Sequence, residues 1–331
     1  MPLGAAALVA AVALTGCSSG DRAGRTAPSA PTPSTTTTTT STPTPTPTVA
    51  PLMGGPVLAV KIDNTPSARP RIGLNKADVV YVEPVEGGLT RLLAVFSSRM
   101  PPEVGPVRSA RESDVELLAN YGRVALAYSG GSAYTVRVLA KGGQINLSYD
   151  ASREGFRRDR SRPAPYNVIG DTKALLARAS GSAKPRDIGF RFGPPAAGGV
   201  AATSVAARWP ASRVTLTWSA KRRQYLVATD GKPDIGADRV QHGASTVVVQ
   251  YVTTRMSANR DVNGRPTPVV QATGTGRATV LRGGKVWQGT WSRKSATSPT
   301  AITAQGKPVT MTPGGPVWVL LVAPGQSVAV R

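Results

Sequence analysis

The chain has 331 residues, 40 Lys and Arg against 18 Asp and Glu, a formal net charge of +22, one cysteine and one histidine. A zinc site built from Cys and His needs several such ligands, and a thiol hydrolase needs a cysteine beside a histidine, so neither class has its required residues. No metal and no cofactor are expected, and the charge points to an anionic partner.

The first element is an apolar run, Ala5 to Ala13, closed by Leu14-Thr15-Gly16-Cys17. Leu-x-Gly-Cys after a short hydrophobic segment is the bacterial lipobox pattern. Residues 1–17 are therefore expected to be a lipoprotein signal peptide, with Cys17 acylated after cleavage. The run is shorter than the roughly 20 residues that span a bilayer. Met1 to Leu14 carries no Lys or Arg, whereas a signal peptide usually begins with a basic region, so the true start is expected a few residues upstream. Two or more acyl chains on one cysteine give stable membrane anchoring. The expected location is the extracytoplasmic face of the bacterial cell membrane, with the membrane itself as one partner.

Residues 18–51 are dominated by Ser, Thr, Pro and Ala, including six consecutive threonines at Thr35 to Thr40. Such a segment cannot bury apolar surface, so it reads as a disordered tether. In extended polyproline conformation it would reach roughly 100 Å.

After the tether, composition shifts to Val, Ile, Leu, Gly and Arg, and residues 52–192 read as a mixed α/β domain. Strands are predicted at Val57 to Ile62, Val79 to Val85, Leu92 to Ser97 and Arg123 to Tyr128. A helix is predicted at Asp114 to Tyr121, with Ser113 and Glu116 spaced as a capping box. Further helices are predicted at Ala133 to Lys141 and at Thr172 to Ala179, the latter with Asp171 as N-cap. A Pro/Gly/Ala-rich stretch, Gly193 to Ala202, reads as a linker. Residues 203–331 then read as a mainly β domain, a sandwich or partly open barrel. Its predicted strands are Arg213 to Trp218, Gln224 to Thr229, Thr246 to Val252, Pro268 to Thr273, Gly276 to Leu281, Lys285 to Thr290 and Val317 to Val322. Asp230-Gly231 and Gly283-Gly284 sit where hairpin turns belong. The fold class is α+β.

The sole histidine, His242, reads as an exposed loop residue. Gly274-x-Gly276 precedes strand-like residues rather than a helix, which excludes a dinucleotide fingerprint. Charged and turn residues cluster at predicted strand ends of the first half, where α/β proteins place their sites. Asp63 and Asn64 end the first strand and Arg69 follows in a turn. Glu83 and Glu86 close the second strand, with Arg91 opening the third. Arg108, Ser109 and Arg111 lead into the first helix. Guanidinium pairs there can grip a carboxylate or phosphate, or form ion pairs with nearby carboxylates. Ser129-Gly130-Gly131-Ser132 joins a strand to a helix, so its backbone N–H groups either cradle an anion or form a plain turn with an N-cap.

Several blocks carry a family resemblance: Val60-Lys61-Ile62-Asp63-Asn64, Ala77-Asp78-Val79-Val80-Tyr81, Glu86-Gly87-Gly88-Leu89-Thr90-Arg91 and Gly105-Pro106-Val107-Arg108-Ser109-Ala110-Arg111. With Arg158-Asp159-Arg160-Ser161-Arg162 and the Trp318 region, they make nearly the whole chain after the tether resemble the YerB-like lipoproteins (domain of unknown function 3048). The resemblance implies an envelope lipoprotein with a two-domain body and supplies no activity. Where the family often has Pro-His-Asn, this chain has Pro165-Tyr166-Asn167.

Two functions follow from these residues. The first is non-catalytic binding of an anionic envelope polymer or an envelope protein through Asp63, Asn64, Arg69, Glu86, Arg91, Arg108, Ser109, Arg111 and the Ser129–Ser132 loop. Nucleic acid is not an expected partner, because an extracytoplasmic protein rarely meets it and the arginines do not alternate with stacking aromatics. The second is a carboxylate-based cell-wall glycan hydrolase using Asp63, Glu83 and Glu86, which needs neither histidine nor metal. Arginines near those carboxylates would lower their pKa values, whereas a general acid needs the opposite.

Overall fold

Runs of β-branched and aliphatic residues buried on both faces build the centre of the molecule, as expected where a sheet is covered on both sides. The computed structural model describes residues 55–182, 186–261 and 263–331. Cys17 and the tether lie outside the described residues. Five strands of the first half are β1 (Leu58–Asp63), β2 (Val79–Pro84), β3 (Thr90–Phe96), β4 (Ala125–Tyr128) and β5 (Ile145–Ser148). Five of the second half are β6 (Thr246–Tyr251), β7 (Gly274–Arg282), β8 (Lys285–Arg293), β9 (Ala301–Ala304) and β10 (Val317–Val322).

All ten belong to one 12-stranded sheet, in the order β9-β8-β7-β6-β10-β2-β3-β1-β4-β5, with two short strands added at its margins. The halves meet where β2 runs parallel to β10, Val79 opposite Val317 and Val82 opposite Leu320. Linker residues Val200–Ala201 form one of the short strands, paired with β8. The second half is thus not a self-contained sandwich or barrel. Its strands extend the sheet begun by the first half, and the sheet does not close. The described residues fall in one compact unit.

A second, six-stranded sheet includes Ser204–Trp209, Ser212–Ser219 and Gln224–Thr229. It packs Val205, Trp209, Leu216 and Val227 against Leu58, Val60, Val82 and Phe96 of the central sheet. The opposite face of the central sheet carries Ala59, Tyr81, Leu93 and Val95, covered by α1 (Ser113–Leu118) and α2 (Ala133–Lys141) through Leu117, Leu118 and Leu139. Each such aliphatic side chain contributes about 1.5–3 kcal/mol on full burial. The third helix, α3 (Thr172–Ala177), is capped by the Asp171 carboxylate accepting from the Ala174 N–H, as expected. Asp230 and Gly231 (φ 53° and 80°), and Gly283 and Gly284 (φ 59° and 75°), form the predicted hairpin turns.

The capping box expected at Ser113 and Glu116 is absent. The N-cap of α1 is Glu112, with no side-chain cap. The Ser113 hydroxyl instead accepts a hydrogen bond from Val270 N–H, 3.1 Å away. Tertiary demand from the second half has taken the hydroxyl that local spacing assigned to the helix. His242 is also not an exposed loop residue, being 1 % accessible within a buried polar group. That group centres on Arg71, which donates to the Asp63 carbonyl, to Asn64 Oδ1 and to the Asp234 carboxylate.

A two-stranded hairpin arm, Thr253–Arg260 and Pro266–Gln271, rises from the second half and packs against α1, β2 and the turn after β2. Its tip completes the site described next.

Candidate functional site

The carboxyl ends of parallel β1 and β4 point the same way, and α/β sheets build their crevices at such ends. The segment 107–111 threads between them. Arg108 N–H donates to the Lys61 carbonyl at 2.9 Å, Ser129 N–H to the Arg108 carbonyl at 3.0 Å, and Ala110 N–H to the Gly130 carbonyl at 3.1 Å. This backbone lattice fixes Arg108 and Arg111 beside Arg91 at the start of β3.

The result is a cavity of about 680 Å³ lined on one side by Glu86, Arg91, Arg108, Ser109, Arg111 and Gly130–Ser132, and on the other by Asn259, Arg260, Asp261, Asn263, Arg265 and Thr267 of the hairpin arm. Eight of the expected binding residues therefore come together: Glu86, Arg91, Arg108, Ser109, Arg111, Gly130, Gly131 and Ser132. Asp63 sits just behind the wall, its carboxylate accepting from Arg108 Nε at 2.8 Å. Asn64 faces away, hydrogen-bonded to Thr90 and Arg71. Arg69 donates to the Thr229 carbonyl in the second sheet, so it joins layers rather than lining the cavity. Ser129 contributes backbone only.

The Ser129–Ser132 loop is partly committed. Gly130 N–H donates to the Asp150 carboxylate at 2.7 Å, so not every amide of the loop is free to cradle an anion. Gly130 itself is required there: its φ is 91°, and a Cβ would lie 2.7 Å from the Ser109 hydroxyl. Ser132 caps α2, its hydroxyl accepting from Thr135 N–H at 3.0 Å.

Charge within the cavity is unequally compensated. Arg111 donates through Nε at 2.9 Å, and also through Nη2, to the Glu86 carboxylate, whose other oxygen accepts from the Thr267 hydroxyl at 2.6 Å. Burial alone would raise the Glu86 carboxyl, but the Arg111 charge and these hydrogen bonds outweigh it and hold it below the ordinary range. Burial likewise opposes Asp63, and hydrogen bonds from Thr65 and Arg108 again win, lowering it. Arg108 also lies over the Tyr166 ring, 5.5 Å from its centroid. Tyr166 thus serves Arg108 as a cation–π support.

Arg91 is different. Among the described residues it forms no ion pair, and its guanidinium donates only to the Ser109 carbonyl, at 3.2 Å. Burial, followed by the like charges of Arg111 and Arg108, pushes its pKa down to about 9. This group gains most from an incoming anion.

None of the three carboxylates proposed for hydrolysis is placed as a general acid. Glu83 is fully buried against Lys61, which also donates to Asp114 at 2.9 Å, and it does not line the cavity. Asp63 is held below the usual range by hydrogen bonds from Thr65 and Arg108, and Glu86 by Arg111 and Thr267.

The roof of the cavity was not among the expected residues. Asn259, Arg260, Asp261, Asn263 and Arg265 are polar, and nothing local signals that they lie opposite Glu86 to Thr135. Among the described residues no group of three or more His, Cys, Asp and Glu side chains is arranged to hold a metal, and no helix is long and apolar enough to cross a membrane.

Residues 42–186 match the N-terminal domain, and residues 205–319 the C-terminal domain, of the protein family of unknown function DUF3048. The chain belongs to this family. It is 42% identical over 113 residues to the Bacillus subtilis (strain 168) protein named "Putative lipoprotein YerB", an alignment spanning a third of each chain. Its fold is similar to that of the crystal structure of YerB protein from Bacillus subtilis, with a TM-score of 0.70 and 23% identity, covering 85% of this chain and 99% of that one.

Proposed function

We propose that this DUF3048 member is a lipid-anchored protein of the outer face of the cytoplasmic membrane that binds an anionic envelope component in the cavity between β3, α2 and the hairpin arm. The observation that carries this reading is Arg91, a half-buried guanidinium with no ion pair among the described residues, facing Arg108 and Arg111. Anchoring through Cys17 follows from the lipobox, and a tether of roughly 100 Å would let the body reach into the wall. The depressed carboxylates favour binding over hydrolysis.

The test is retention of the full chain on purified wall polymer at low and high salt, with the supernatant analysed for released fragments. Retention is expected, without products, and is expected to weaken as ions screen the arginines. Arg91→Ala should reduce it. Retention undiminished from wild type in both Arg91→Ala and an Arg260→Ala/Arg265→Ala double variant would overturn the reading and direct attention to a protein partner.

A further inference from the structure

The chemical class of the ligand can be argued from charge balance and the character of the two walls; the argument rests on the anion-binding reading above. Among the described residues, five guanidinium groups (Arg91, Arg108, Arg111, Arg260 and Arg265) line the cavity. Three carboxylates line it or pair with those arginines: Asp63, Glu86 and Asp261. Two positive charges are left in excess. Asp63 and Glu86 are spent on Arg108 and Arg111. The Asp261 carboxylate accepts backbone N–H groups of Asn263 and Arg265 at 2.9 and 2.8 Å, holding the turn rather than a guanidinium. Asp150 lies on an exposed loop off the cavity, bonded to Gly130 N–H.

Among the described residues, Arg91, Arg260 and Arg265 therefore have no ion pair, and they sit on facing walls. A carboxylate or a phosphodiester brings one negative charge and leaves the surplus half met. A phosphate monoester brings close to two, with several acceptor oxygens that guanidinium forks on both sides can grip.

The cavity is far larger than a phosphate needs, and its volume is that of a small organic ligand. Beyond the arginines it offers the Asn263 amide, which both donates and accepts, and the Oδ1 of Asn259, whose Nδ2 donates to the Thr135 and Thr267 hydroxyls at 3.4 Å. Val85, Leu89 and Pro165 add short apolar strips. Amides interleaved with small apolar surfaces suit the hydroxyls and C–H faces of a sugar ring. Among the described residues no aromatic side chain lines the cavity, so none there stacks a nucleobase.

We infer that the cavity takes a phosphorylated saccharide, its phosphate held between Arg91 and the arginines of the hairpin tip, and its sugar held by Asn259, Asn263 and the apolar strips.

Isothermal titration of the full chain in detergent tests this with four probes: N-acetylglucosamine 1-phosphate, inorganic phosphate, N-acetylglucosamine and glucuronate. The sugar phosphate should bind about tenfold or more tightly than each of the others, the change expected for one charge-assisted contact. Arg91→Ala should weaken it by a similar factor. So should Arg265→Ala, whose side chain is on an exposed turn where truncation leaves the fold intact. Glucuronate binding as tightly as the sugar phosphate, with loss in Arg91→Ala, would overturn the phosphate assignment and leave anion binding standing. Inorganic phosphate matching the sugar phosphate would overturn the saccharide assignment. No binding of any probe, together with wall retention unchanged in Arg91→Ala, would overturn both.

Discussion

The chain has one histidine, so its acid response in the range where only histidine ordinarily titrates can be assigned to one residue. His242 lies between the two sheets. Asn75 donates its amide to Asp238 at 3.0 Å, which leaves its Oδ1 to accept from the His242 Nδ1–H at 2.8 Å. Nε2 then faces the Asp234 carboxylate at 3.9 Å, without a hydrogen bond among the described residues. Burial, partly offset by Asp234 and Asp238 and reinforced by Arg71 and Arg222, pushes its pKa from 6.5 down to about 4. Between these values the unfolded chain binds more protons than the folded one, so stability is present above pH 6.5 and is lost as pH falls toward 4. The whole depression is worth about 3 kcal/mol, of which about 2 kcal/mol is lost between pH 7 and pH 5. For a body of this size that corresponds to a Tm decrease of about 3–4 °C. The assay is thermal unfolding of the wild-type chain and of His242→Asn and His242→Gln at both pH values. The variants are expected to lose less stability than wild type on acidification by about 2 kcal/mol. Carboxylate titrations are common to all three proteins and cancel in that comparison. An identical pH 7 to pH 5 loss in all three would refute the argument, because it would mean that native His242 protonates as freely as in the unfolded chain.

Three substitutions test other parts of the structure. Arg71→Met leaves the fully buried Asp234 carboxylate without its guanidinium and should cost about 3–5 kcal/mol in urea unfolding; a loss below about 1 kcal/mol would show that Arg71 does not join the two sheets. Ser132→Ala removes the hydroxyl that caps α2 and should cost about 1 kcal/mol, read by the same unfolding curve. Gly87→Ala places a Cβ 2.6 Å from Arg265 Nη1 at a position with φ 69°; it should displace the arginine and weaken sugar-phosphate binding, measured by titration, while costing roughly 1 kcal/mol of backbone strain.

Local patterns placed β1 to β4 and the three α-helices of the first half close to their observed bounds, because β1 and β2 are continuous apolar runs with clear stops and α2 is amphipathic. The boundary between halves is a different matter. Gly193 to Ala202 has the composition of a linker, yet Val200–Ala201 pairs with β8. The parallel pairing of β2 with β10 joins residues more than 230 positions apart in sequence, as Val79 and Val317 show. Parallel pairing requires a long crossover and carries no turn signature. A β run at Val317–Val322 looks the same whether it completes a local sandwich or extends a distant sheet.

The site shows the same division between composition and placement. Arginines at strand ends mark a candidate anion-binding region in the sequence, and Arg108 and Arg111 stand out because they flank a helix start. Their carboxylate partners, Asp63 and Glu86, are equally visible. Which arginine remains without one depends on register. Arg91 lies opposite Glu83 on β2 and Asp63 on β1. Glu83 is drawn to Lys61 on one side of the sheet and Asp63 to Arg108 at its end. Both nearby acids are consumed before Arg91 is reached, and the hairpin arm adds two further arginines opposite it. The proposed anion-binding role therefore moves from the two arginines most prominent in the sequence to the one whose neighbours in the sheet have already been claimed. Arg91→Ala should accordingly weaken ligand binding about tenfold with little loss of stability, whereas Arg111→Ala should lose stability first, because it leaves the buried Glu86 without its guanidinium.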